Sequence, residues 1–143
     1  MDYDYLKRVG GHNKVIKRNK FIYKFFCNQN KYKNEKEFYL KTKDKLWFIP
    51  KIYYFSDKRK LLIIENVGKH ITEKELIKEQ EWIIILFKIM IMKTGYYHND
   101  LYYKNVCKNS KNQYFLIDFE NCYDRIKNNH KKSNLFRIDK LFV

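Results

Sequence analysis

The chain has 143 residues, 45% of them hydrophobic and 18% aromatic, with a formal net charge of +15. That length fits one compact unit, with room for two small lobes around one cleft, and the apolar content excludes wholesale disorder. The positive balance suits acidic partners such as nucleotides or nucleic acid, yet the lysines are scattered along the chain rather than blocked, so the charge reads first as a solvated surface.

Three cysteines, Cys27, Cys107 and Cys122, lack any CxxC spacing. They argue against a disulfide framework or a zinc site and fit a reducing compartment. The start, MDYDYLKRV, is charged and holds no apolar run of the signal-peptide kind. The most apolar stretch, residues 82–92, is about half the length of a membrane span and contains Lys88. An intracellular, cytoplasmic protein without a membrane partner is expected.

Residues 4–26 read as three strands, 5–9, 14–17 and 21–26. Gly10-Gly11 lies between the first two, and Arg18-Asn19-Lys20 turns the second into the third. In the third strand the pleat sets Lys24 between Ile22 and Phe26, an apolar setting for a charge. It is either an edge gatekeeper or a cleft-facing cation that needs an anion. Residues 34–45 fit a helix, with Asn34 as N-cap and Glu35 and Glu37 in the first turn. Pro50 precedes two further strands, 52–55 and 61–65, joined by a charged turn. Asn66-Val67-Gly68 then breaks the pattern and reads as a hinge.

Thr72 followed by Glu75 is a capping box, and a helical pattern runs from there towards Thr94, with a break near Glu79 and Gly95 as the stop. The second half of that helix is apolar nearly all round, so it should be central to its part of the fold. Residues 97–122 follow as loop, strand, tight turn and strand, with Asp100 and Asp118 each closing an apolar run and Asn105 between them. Residues 135–143 could form one short apolar-faced element.

Two acids and an amide at one edge of a small hairpin suit a metal and phosphate site. Magnesium takes hard oxygen ligands, and phosphoryl transfer is mostly positioning and charge neutralisation. Taken singly, each acid reads as a capped turn or a surface ion pair; taken as a spaced set, they read as a site.

His98-Asn99-Asp100-Leu101 with Asn105 resembles the catalytic loop of the protein-kinase-like superfamily, and Leu116-Ile117-Asp118-Phe119-Glu120 resembles its metal-binding segment with Glu in place of Gly. The resemblance covers roughly residues 5–122. It implies an α+β, bilobal kinase-like fold: an antiparallel-sheet lobe with one helix over 1–66 and a reduced, mainly helical lobe over 67–143. It implies Asp100 as the group that accepts or orients the proton of a hydroxyl, with Asn105 and Lys104 beside it. Asp118 and Asn105 would hold Mg2+, and His98 would fix the loop. Lys24 paired with Glu37 resembles the lysine and glutamate that clamp the ATP phosphates, with Glu35 a near-equal alternative. Gly10 and Gly11 resemble the loop over the phosphates, though without the full GxGxxG pattern, and a plain hairpin turn remains equally open. Glu65 and Val67 resemble the segment that reads adenine.

Three departures accompany the resemblance. Glu120 replaces glycine, as in several atypical and small-molecule kinases; Tyr102 stands where serine/threonine kinases usually carry a lysine, whose part Lys104 would take; and no activation segment follows Asp118. The remainder resembles the smallest atypical kinases, those associated with tRNA modification and those of large DNA viruses. In that setting the location would be cytoplasmic, the host's if viral. The implied function is ATP- and Mg2+-dependent phosphotransfer, most readily to protein serine or threonine, with a small-molecule hydroxyl as the other acceptor. The alternative is a pseudokinase that binds nucleotide or acts as a scaffold. A partner protein or a homodimer would complete so short a chain, and nucleic acid is the less favoured partner.

Overall fold

The computed structural model describes residues 4–7 and 13–124. The expected glycine loop, Gly10 and Gly11, and the apolar segment 135–143 both lie outside the described residues.

The first half of the chain is one antiparallel sheet with a helix across it. Strands β1 (Asp4–Lys7), β2 (Lys14–Arg18), β3 (Phe21–Phe25), β4 (Ile52–Ser56) and β5 (Leu61–Glu65) are ordered β1-β2-β3-β5-β4. The β2–β3 hairpin closes on Asn19 and Lys20, and Asn19 takes φ 53°, the left-handed geometry that a two-residue hairpin asks for and asparagine tolerates. Register pairs Lys24 with Val15 on one side and Leu62 on the other, so Lys24 sits in the middle of the sheet. It is not an edge gatekeeper.

Helix α1 runs Gln29–Lys41, earlier than its sequence pattern suggests. Asn28, not Asn34, is its N-cap, and the Asn28 side chain accepts a hydrogen bond from Lys31 N–H at 3.0 Å. Its end is set by Thr42, whose hydroxyl donates to Phe38 O at 2.7 Å, and by Asp44, which turns left-handed at φ 63°. This start fixes which face is inward: Tyr32, Glu35, Phe38 and Tyr39 are buried at helical spacing.

The second half hangs from a crossover, 66–68. Helix α2 (Glu73–Lys78) is capped by Thr72, whose hydroxyl accepts from Glu75 N–H at 3.1 Å. The break near Glu79 is real, and α3 (Gln80–Thr94) follows, ending on left-handed Gly95 at φ 75°. Two small sheets complete the described chain. Strands β6 (Lys69–His70), β8 (Val106–Lys108) and β9 (Tyr114–Leu116) form one; β7 (Tyr96–Tyr97) and β10 (Tyr123–Asp124) form the other.

One core runs through both halves. Phe26, Phe38 and Phe48 join Leu76, Ile83, Leu86 and Met90 around Leu116 and Phe119. Phe119 is its crossroads: it stacks on Phe38 with ring centroids 4.0 Å apart and touches Tyr39 and His98. Gly68 is demanded by the crossover. Its φ is +107°, and a Cβ there would lie 2.3 Å from Lys108 O. Among the described residues no helix is long and apolar enough to cross a membrane.

Candidate active site

A cleft of about 440 Å³ opens between the large sheet and the 98–118 segment. Val15, Ile22 and Ile64 give it an apolar roof, Glu65 to Gly68 form one wall, and Lys24, Tyr102, Lys104 and Asp118 line its polar part. That mix of apolar walls and few convergent polar groups is the usual make-up of a ligand site.

Lys24 is the centre of its charge. β3 points the side chain inward, where Nζ lies 2.7 Å from Glu35 Oε1, 3.0 Å from Asp118 Oδ1 and 3.8 Å from Glu120 Oε2. All four residues are buried. The expected partner Glu37 is corrected here. With α1 starting at Gln29, Glu35 falls on the buried stripe and Glu37 turns about 200° away from it. Glu37 instead pairs with Lys41 one turn on, at 2.6 Å on the exposed side.

Burial pushes the Glu35 carboxyl up to about 7, against the pull of Lys24 beside it and with the repulsion of Asp118 and Glu120. Glu35 Oε2 has no hydrogen-bond partner among the described residues. The carboxylate oxygens of Glu35, Asp118 and Glu120 come within 4.8 Å of one another. Hard oxygen donors so spaced are of the kind Mg2+ takes, and the lysine ammonium contacts the same three carboxylates.

Glu120, the residue in glycine's place, is no solvent-facing substitution. It accepts from Asn13 Nδ2 at 2.6 Å, faces Lys24, and lies 3.8 Å from Lys31 Nζ. Asn34 ties the same segment to α1 by donating to Glu120 O and Cys122 O, both at 2.9 Å. The sequence reading missed Asn13, Asn34 and the role of Glu120. Only the oddity of a glutamate after Asp-Phe pointed to any of them.

The 98–105 loop is stitched to the strand that delivers Asp118. His98 Nε2–H donates to Ile117 O at 2.7 Å, and His98 Nδ1 accepts from Asp100 N–H at 3.3 Å. Those partners require the neutral ring, and burial accordingly lowers its pKa. Asn105 Nδ2 donates to Asp100 O at 2.6 Å, while Asn105 O accepts from Ile117 N–H at 3.0 Å. Asp100 itself is half-buried and accepts from Asn121 Nδ2 at 3.3 Å. Lys104 is exposed at the cleft's mouth. Asn99 and Asp118 both adopt left-handed φ, 68° and 67°, which asparagine and aspartate tolerate better than most residues.

On the opposite wall, Glu65 N–H bonds to Lys51 O, and Asn66 N–H bonds to Lys20 O. Gly68 N–H bonds to the Asn66 side chain. Among the described residues Val67 N–H makes no such bond, and Val67 lines the cleft.

Solved structures carry the same arrangement of the chain. The crystal structure of WbdD at 2.2 Å matches with a TM-score of 0.68 at 16% identity, over 96% of this chain and 37% of that one. Monomeric WbdD matches at 0.68 and 15% identity, over 91% of this chain and 36% of that one. WbdD bound to the kinase inhibitor LY294002 matches at 0.60 and 16% identity, over 85% of this chain and 32% of that one. The fold is kinase-like. The likeness is one of fold alone, and this chain spans little more than a third of WbdD's length. No family model matches the sequence, and no curated protein does.

Proposed function

We propose that this protein is a bilobal, kinase-like phosphotransferase that uses ATP and Mg2+ to phosphorylate a hydroxyl. The observation that carries the reading is the buried Lys24 between Glu35 and Asp118, at the edge of a cleft whose other sides are the 65–68 crossover and the 98–105 loop. A lysine held by a helix glutamate is a fixed point charge for phosphate oxygens. Val67, which lines the cleft and whose N–H has no partner among the described residues, would donate to the base. Asp118, with Asn105 and the newly found Glu120, supplies hard oxygens for Mg2+, which when bound would neutralise phosphate charge. His98 and Asn105 hold the loop so that Asp100 keeps one orientation towards an incoming hydroxyl.

The acceptor is a protein serine or threonine hydroxyl or that of a small alcohol. Glu120 in glycine's place keeps the second class in play. A second reading, nucleotide binding without transfer, is favoured by one observation: Lys24 Nζ already contacts Asp118, the proposed metal ligand.

Thermal-shift titration with ATP and Mg2+ tests the cleft. The parent should be stabilised, and Asp118→Ala and Lys24→Ala should respond far less. No shift in the parent sinks the nucleotide reading. Incubation with γ-labelled ATP then separates the remainder. Label in a generic serine/threonine substrate or in a panel of small alcohols, lost in Asp100→Asn, supports transfer. A shift without transfer to any acceptor, or to the protein itself, supports the binding module.

A further inference from the structure

Helix α3 buries one face and leaves another bare. Ile83, Leu86, Phe87 and Met90 enter the core. Along the flank of that face, Trp82 is 42% exposed, Ile85 44% and Met92 83%, with Ile89, which also packs against the core, half-buried between them. Their spacing of three, four and three residues is the a/d repeat of a two-helix seam. Trp47, 57% exposed, continues the patch, with Lys93 Nζ 5.9 Å from its ring. Contiguous apolar surface of this kind marks an interaction site rather than ordinary scatter.

The charges beside the seam select the occupant. At the helix's start the flanking residues are Glu79 and Glu81; towards its end they are Lys88 and Lys93. We infer that α3 docks antiparallel against α3 of a second copy of this chain. An alignment centred beside Phe87 sets Trp82 against Met92 and Ile85 against Ile89 of the second copy, four apolar layers in all. Glu81 then lies along the same side of the seam as Lys88 of the second copy, and Glu79 along the same side as Lys93. Parallel pairing would instead set Lys88 beside Lys93. Three of the seam's residues are exposed while Ile89 also packs against the core, and none of the four lines the proposed nucleotide cleft, so the dimer and the chemistry are independent readings.

Sedimentation of the full chain from about 1 to 100 µM covers the micromolar range in which this association is expected. The parent should dimerise. Ile85→Lys should weaken the dimer by about 30-fold or more, as loss of a central apolar anchor does. Met92→Lys, at the most exposed position, is the second variant, chosen because its folding is least at risk; its melting temperature should match the parent's. Glu81→Lys should weaken association by up to about fivefold, and adding Lys88→Glu should restore it, since opposite charges across an exposed rim are worth about that much. A parent that stays monomeric throughout, or a dimer unmoved by both lysine variants, overturns the interface. A double charge variant no tighter than Glu81→Lys overturns the antiparallel arrangement.

Discussion

Replacing Lys24 by Met keeps the shape of the side chain and removes the ammonium that, among the described residues, touches Glu35, Asp118 and Glu120 together. At an effective dielectric of about 20, its attractions at 2.7, 3.0 and 3.8 Å are worth roughly 4–6 kcal/mol each, and carboxylates within 4.8 Å repel by at least about 3.5 kcal/mol per pair. The variant need not bear that whole repulsion, because a carboxyl can take up a proton instead. Against a parent whose Glu35 already sits near 7, that proton costs the variant about 1.4 kcal/mol per pH unit above 7 and nothing below it, so this part of the loss is about 1.4 kcal/mol near pH 8 and close to zero near pH 6. Urea unfolding followed by fluorescence of Trp47 and Trp82 at the two pH values reads both numbers. Millimolar Mg2+ should recover much of the loss near pH 8, since a divalent ion can take the lysine's place among the oxygens. A variant that unfolds at the parent's midpoint near pH 8, or whose deficit does not shrink near pH 6, refutes the view that Lys24 neutralises a carboxylate cluster.

Four further outcomes are expected. Glu35 has a raised folded value, so its contribution is fully present below about 4.5 and lost as pH rises through about 7. The stability difference between parent and Glu35→Gln should therefore fall by roughly 3 kcal/mol across that window. His98 acts in the opposite sense: its lowered value gives stability present above 6.5 and lost as pH falls through the folded value, so the parent's own profile should show an optimum between acid and neutral pH. Gly68→Ala should destabilise by about 2–4 kcal/mol, because it combines a left-handed backbone with a Cβ 2.3 Å from Lys108 O; denaturant midpoints read this directly. Asn34→Leu should cost about 2 kcal/mol by leaving two backbone carbonyls without their donor, and hydrogen exchange should rise at the amides of residues 120–124 before it rises in the β3–β5 pairing.

Much of the architecture was legible because it rests on local chemistry. The Thr72 N-cap, the Gly95 stop, the Asn19 hairpin and the alternation around Lys24 each act within a few residues, and each appears where the pattern put it; the reciprocal Glu75 half of the capping box does not, since that carboxylate pairs with Lys108. Helix α1 was misplaced for the same reason in reverse. Asn34 is a good N-cap by type, but Asn28 is equally good and lets the aromatic stripe of Tyr32, Phe38 and Tyr39 face the core. The choice between Glu35 and Glu37 depends on that helical phase, which long-range packing decides. The contacts of Asn13 and Asn34 with Glu120 span 107 and 86 residues, and no spacing rule in one sequence can announce them. The 98–105 loop read well because its histidine and asparagine hold backbone only a few residues or one short hairpin away.

The seat of Phe119 bears on ligand design. Its ring is fully buried, pressed on Phe38 and flanked by Tyr39 and His98, while its neighbour Glu120 is anchored by Asn13 and Lys24. Compounds that gain affinity by expelling this phenylalanine would have to empty an aromatic nest and unseat a buried carboxylate at once. Compounds confined to the roof of Val15, Ile22 and Ile64 and the wall at Val67 would leave both in place.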